Sequence, residues 1–161
     1  MAAAGPFDAV MAAPFGRIGI RVDALGVREV VFLPEEVPPH APRSPMAARA
    51  VDEIGRYLAD PRHRPEVPWR VDGTPFRRRV WAALVAIPPG RAVTYGALAR
   101  ALGSAPRAVG QACRANPVPL LVPCHRAVAA RGPGGFAGAR GGAAVAVKRW
   151  LLAHEGVALA P

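Results

Sequence analysis

Proline placement constrains this chain more than any other feature. Nineteen of its 161 residues are proline and seventeen are glycine. Proline cannot donate to a sheet ladder or continue a helix, but it fits a helix's first turn. Regular elements must therefore lie between the prolines or begin at them. Ser44-Pro45, Thr74-Pro75 and Pro106 read as helix starts. Asp60-Pro61 and Ile87-Pro88-Pro89-Gly90 read as helix stops, and Pro34, Pro38, Pro39 and Pro42 mark a surface connection.

The intervals have readable periods. Ile18, Ile20 and Val22 alternate, a turn runs from Asp23 to Gly26, and Val27, Val30 and Val31 follow, which predicts a β-hairpin. Ala50, Val51, Ile54, Tyr57 and Leu58 form one face of a helix suited to covering that sheet. Arg62 to Asp72 mixes proline and charge without periodicity, so the boundary between two compact units, 1–68 and 69–161, is placed there. Phe76, Val80, Trp81, Leu84 and Val85 then mark a core helix. Thr94 caps a short helix carrying Leu98 and Leu102, Gly103-Ser104 turn the chain, and a second helix runs from Pro106 to about Ala115. Such a pair suggests a helix-turn-helix. Ala108, Gly110, Ala112 and Ala115 are small, with Arg107 and Arg114 flanking, so the second helix suits either close approach to DNA or tight internal packing. The apolar run Val118 to Val122, interrupted by Pro119, leads into Pro123-Cys124-His125-Arg126 and sets Cys124 at the end of a buried strand or turn. The glycine-rich stretch Gly132 to Gly142, with Phe136 inside it, suits a loop that approaches a ligand. Val147, Trp150, Leu151 and His154 predict a last helix ending at Gly156. The expected class is α+β, with a small αβ unit followed by a mostly helical one.

Hydrophobic residues are 52% and charged residues 20%, which excludes a disordered chain. The net charge of +10 favours polyanionic partners, nucleic acid first. The competing explanation is compositional, since nearly every cation is arginine in a chain crowded with alanine, glycine and proline. Cys113 and Cys124 have neither the paired spacing of a zinc site nor the density of a disulfide scaffold. A reduced cytoplasmic setting fits. Met1 to Val10 lacks a signal-peptide pattern, and no apolar run reaches the roughly 18 residues of a membrane span. We expect a soluble, unprocessed protein.

Cys124 beside His125 is a weak signal alone, because sequence neighbours do not automatically pair in space. Four longer segments add to it: GTPFRRRVWAALVAIPPGRAVTYGALARAL (73–102), RAVGQACRANPVPLLVPCHRAV (107–128), GGFAG (134–138) and VKRWLLAHEG (147–156). In order and spacing they resemble the O6-alkylguanine-DNA alkyltransferases, suicide repair proteins, over just over half the chain.

The resemblance implies that Cys124 accepts the alkyl group irreversibly, with His125 activating it through a bridging water and Glu155 orienting the imidazole. Asn116 would tie the helix pair to the active-site segment. The second helix would enter the minor groove of double-stranded DNA along Ala108 and Gly110, Tyr95 would push on the flanking phosphate, and Arg107 would fill the gap left by an everted base, with Arg114 and Arg126 adding contacts. Val122, Pro119, Phe136, Ala137 and Gly138 would line the guanine pocket. Phe136 stands where many relatives carry tyrosine, and Ala139 where a second glycine is common. Relatives have a ribonuclease H-like N-terminal domain, and the hairpin with its helix fits a shortened version. Some hold structural zinc there, but this half has no cysteine and only His40 and His63, so no metal is expected. The resemblance further implies a cofactor-free monomer acting on O6-alkylguanine, and the sequence does not decide whether O4-alkylthymine is a second substrate. Nonreactive alkyltransferase-like relatives lack the acceptor cysteine, which this chain has. A helix-turn-helix regulator with an incidental cysteine, and a cysteine hydrolase, are the alternatives.

Overall fold

A computed structural model describes residues 6–137 and 141–159. Three antiparallel strands, β1 (Ala9–Ala13), β2 (Gly16–Asp23) and β3 (Gly26–Leu33), form a sheet with β2 in the centre. The β2–β3 turn is fixed by Asp23, whose Oδ1 accepts from the Leu25 and Gly26 amides at 2.7 and 3.2 Å. Gly26 sits at φ +147°, and a Cβ there would stand 2.4 Å from the Pro68 carbonyl oxygen. Only glycine fits that approach.

The expected hairpin therefore stands, with β1 added as a third strand. Helix α1 (Pro45–Ala59) lies across the sheet, burying Ala47, Ala50, Ile54 and Tyr57 toward Ile18, Ile20 and Val30. Fully burying each of the isoleucine and valine side chains contributes about 1.5–3 kcal/mol.

Helix starts follow the prolines. Pro45, Pro75 and Pro106 each sit in the first turn of α1, α2 (Pro75–Val85) and α4 (Pro106–Arg114). Ser44 and Thr74 accept from Ala47 N and Arg77 N, and Thr94 does the same for Ala97 N at the head of α3 (Tyr95–Leu102). Gly103 closes α3 in the left-handed region and turns the chain into α4. Trp81 Nε1 donates to the Ala112 carbonyl at 2.9 Å, which fixes α2 against α4.

The segment Val118 to Val122 resolves the strand-or-turn alternative in favour of the turn. Val122 N donates back to Val118 O at 2.9 Å, and Leu120 takes φ +75°. A 3-10 turn, Cys124–Arg126, follows directly. It leads into β5 (Ala127–Val128), which pairs in parallel with β4 (Val93–Thr94). That short ladder anchors the cysteine segment to the head of α3. Helix α5 (Gly142–His154) is the last regular element among the described residues.

The two halves share one continuous apolar core. Val30 N donates to Pro117 O at 2.9 Å, Phe32 packs on Phe136, and Phe15 packs on Trp150. No helix among the described residues is long and apolar enough to cross a membrane.

Candidate active site

Cys124 begins the 3-10 turn and is 7% exposed. It is held there by Asn116, whose Nδ2 donates to Val122 O at 2.8 Å and whose Oδ1 accepts from Val118 N at 3.0 Å. One side chain thus satisfies both ends of the turn. Val122 O also accepts from Cys124 N at 2.8 Å, so the Asn116 bond reaches the cysteine backbone in a single step. Burial pushes the Cys124 thiol up, opposed by the Asn116 hydrogen bond and the Lys148 charge, so the resting group is a thiol.

The thiol lies on the wall of a cavity of about 380 Å³. Its rim is one face of α4, Arg107, Gly110, Gln111 and Arg114, and its inner walls include Tyr95, Cys113, Gly135, Phe136 and Ala137. The spacing of the α4 residues places them on one side of the helix while Val109, Ala112 and Cys113 bury the other. A second cavity, about 560 Å³, shares Cys124, Phe136 and Ala137 and extends toward Pro119, β3 and α5. Val122 is fully buried and borders neither, and Ala108 is partly buried behind the rim. Gly138 lies outside the described residues.

Behind the thiol is a buried polar cluster. His125 is 1% exposed, and its Nε2 lies 2.7 Å from Glu155 Oε2. Glu155 caps α5, which brings it across the fold to the 3-10 turn. Its Oε1 accepts from Arg126 Nε at 2.8 Å, and its Oε2 accepts from Arg126 Nη2 at 3.0 Å and from the Tyr57 hydroxyl. Burial raises the Glu155 carboxyl, but the hydrogen bonds from His125, Arg126 and Tyr57 outweigh it and hold the group well below the usual carboxylate range. Burial lowers His125, against the pull of Glu155, so the imidazole is neutral. With Nε2 donating to the carboxylate, Nδ1 carries the lone pair. Nδ1 is the one buried side-chain nitrogen or oxygen without a protein partner among the described residues.

Arg126 corrects an expectation. The resemblance implies a DNA contact, yet the Arg126 guanidinium is inside the protein, bonded to Glu155 and, through Nη1, to Ile87 O at 2.7 Å. Reaching a phosphate would leave the Glu155 carboxylate short of its main buried counter-charge. Arg107 and Arg114 are exposed and free to meet a phosphate. The Tyr95 ring borders the cavity, and its hydroxyl points inward, 3.5 Å from Gly135 O.

Sequence reasoning missed Lys148 and Tyr57. Lys148 is fully buried, and its ammonium donates to Ala127 O, Gly135 O and Tyr95 Oη at 2.7, 3.0 and 3.1 Å. Burial pushes it down to about 8, while the Cys124 and Cys113 thiols pull the other way. The available signal was composition. Lys148 is the sole lysine beside twenty arginines, and only lysine shifts readily when buried. Cys113, a cavity neighbour of Cys124, is pushed up to about 12 by burial. No cluster of His, Cys, Asp or Glu suited to a metal occurs among the described residues.

Residues 75–157 match the family model for the DNA-binding domain of 6-O-methylguanine DNA methyltransferase. A methylated-DNA–protein-cysteine methyltransferase of Salmonella typhimurium is 52% identical over 89 residues, which are 54% of this chain and 50% of that protein. The match thus spans only half the length of that relative. A DNA base-flipping protein of Thermus thermophilus is 40% identical over 153 residues, covering 89% of this chain and 95% of its own. Among solved structures, Mycobacterium tuberculosis O6-methylguanine methyltransferase superposes with a TM-score of 0.76 at 30% identity over 91% of this chain and 90% of its own. The same protein in complex with DNA gives 0.73 at 30% identity, covering 91% of each chain. The family match, the full-length relative and the shared mixed α and β fold establish that this chain belongs to the 6-O-methylguanine DNA methyltransferase family.

Proposed function

We propose that the protein repairs alkylated DNA by moving the alkyl group from O6 of guanine, and from O4 of thymine, irreversibly onto Cys124. One observation carries the reading. A cysteine lies on the wall of a cavity rimmed by an exposed, arginine-bearing helix face, and the next residue is a histidine with Nε2 on a buried carboxylate and Nδ1 unpaired.

In this reading Cys124 gives its proton through a bridging water to His125 Nδ1, and Glu155 stabilises the imidazolium that results. The sulfur attacks the alkyl carbon, and the S–C bond forms as the C–O bond breaks. The electron pair leaves with the base, which takes a proton from solvent. The Lys148 ammonium, buried without a carboxylate partner among its hydrogen bonds, offsets the thiolate charge. Asn116 holds the turn that aims the sulfur. A base inside a duplex is out of reach, so the nucleotide must be everted. Helices α3 and α4 act as a helix-turn-helix laid in the minor groove, with Arg107 entering the stack and Tyr95 displacing the phosphate once its hydroxyl leaves Lys148 and Gly135. Residues 1–68 form a shortened ribonuclease H-like domain, and residues 69–161 the DNA-binding and alkyltransferase domain. The protein works as a monomer without cofactor.

Duplex containing O6-methylguanine, incubated with increasing amounts of protein up to equivalence and digested to nucleosides, should lose the lesion in proportion to protein added. Cys124→Ala should bind the duplex and leave the lesion intact. The Thermus relative named for base flipping favours a second reading, in which the lesion is everted but not repaired. A wild-type protein that binds tightly while every lesion survives would establish that second reading instead.

A further inference from the structure

Tyr57 belongs to α1, in the half of the chain with no part in the chemistry proposed above, yet its hydroxyl donates to Glu155 Oε2, the oxygen that also takes His125 Nε2. We infer that Tyr57 is a positioning residue through which the N-terminal half sets the strength of the Glu155–His125 pair. The inference rests on the proposed role of His125 as the base for Cys124.

Tyr57 is 2% exposed and is held at both ends by α5. His154 Nε2 lies 2.8 Å from the Tyr57 carbonyl oxygen, its ring meets the Tyr57 ring edge-on at 5.3 Å, and Trp150 stacks on His154 at 4.6 Å. The hydroxyl is therefore fixed on the carboxylate. Arg126 already grips both carboxylate oxygens, so orientation alone does not require a further donor. The added donor does change charge. Three donors converge on Oε2, and each withdraws negative charge that the others would otherwise use. Tyr57 thereby weakens the pull of Glu155 on the imidazole proton and keeps His125 a weaker base. The other charged groups bearing on this pair are Arg126 and Lys148, both of which also disfavour an imidazolium. Burial and the Glu155 charge push the Tyr57 hydroxyl far above its ordinary range, so it remains a donor at every working pH.

Removing only the hydroxyl tests this. In Tyr57→Phe the hydrogen-bonded Nε2 proton of His125, followed by NMR without DNA, should move downfield. The acid limb of single-turnover methyl transfer should move to higher pH by about half a unit, because a stronger base is protonated sooner. Ile54→Val, which loosens the same face of α1 without touching Glu155, should lower the melting temperature and move neither signal. A Tyr57→Phe protein whose Nε2 proton stays in place, or whose limb moves no more than that of Ile54→Val, would overturn the inference. If wild-type protein transfers no methyl group at any pH, the repair reading fails, and the DNA-free resonance still decides the role of Tyr57.

Discussion

At the scale of single residues, Glu155 concentrates the consequences. Its side chain is fully buried and paired with Arg126 and His125, so removing the charge leaves an arginine without its partner. Glu155→Gln should lose about 3–5 kcal/mol of stability at neutral pH, measured by denaturant unfolding. The pH dependence has a definite sign. Because the folded carboxyl is held below the 4.5 of a free glutamate, its stabilisation is complete above that pH and is lost as pH falls further. His125 acts in the same sense. Burial depresses it below 6.5, so the unfolded chain takes up the proton first and stability declines as pH drops through that value. Wild-type protein should therefore weaken progressively below pH 6.5 and faster below 4.5, and Glu155→Gln should show a smaller lower phase, carried by the remaining carboxyls Asp23, Glu53 and Asp60. Cys124, His125 and Glu155 were legible through a motif. Tyr57 and Lys148 were not, because a tyrosine on a helix's apolar face and a lysine in an amphipathic helix read as packing and solvation until the fold brings one to Glu155 and the other to the Tyr95 hydroxyl.

Among elements, the helices were legible because their starts are written in local chemistry. Ser44, Thr74 and Thr94 each cap the helix that follows. The strands were less so. β1 reads AVMAA, with a single β-branched residue, and is a strand because β2 offers it an open edge. β4 and β5 have two residues each, too few for any period to show. The turn at Val118 to Val122 needs a positive φ at a leucine, which local preference argues against and the Asn116 bonds enforce. Two helices lack such a cap: Gly141, ahead of α5, has no side chain to offer, and Ala105 supplies none to α4. Its backbone is already extended there, at φ −110° and ψ 149°. Ala105→Ser should accordingly raise stability by about 0.5–1 kcal/mol, read as a higher denaturation midpoint at unchanged m-value.

On the scale of the whole molecule, the +10 charge and the α4 rim belong to one account. Charge alone puts nucleic acid first, with a compositional bias as the competing explanation. A rim bearing Arg107 and Arg114 beside a thiol favours the first. Replacing Arg114 by alanine should reduce the slope of log affinity against log salt by about one, for the lost phosphate contact, while unfolding stays near wild type. The sequence places a boundary between the halves, and their contact through Val30, Phe32, Phe15 and Tyr57 involves residues too far apart in sequence for any local pattern to reveal. The central claim is that the sulfur of Cys124 keeps the carbon it takes. Peptide mapping by mass spectrometry, after incubation with excess O6-methylguanine duplex, tests it most directly. The account predicts one methyl group per protein, located on Cys124, and no further repair by the modified protein. An unmodified Cys124 beside repaired DNA, or repair that continues past one lesion per molecule, would contradict it.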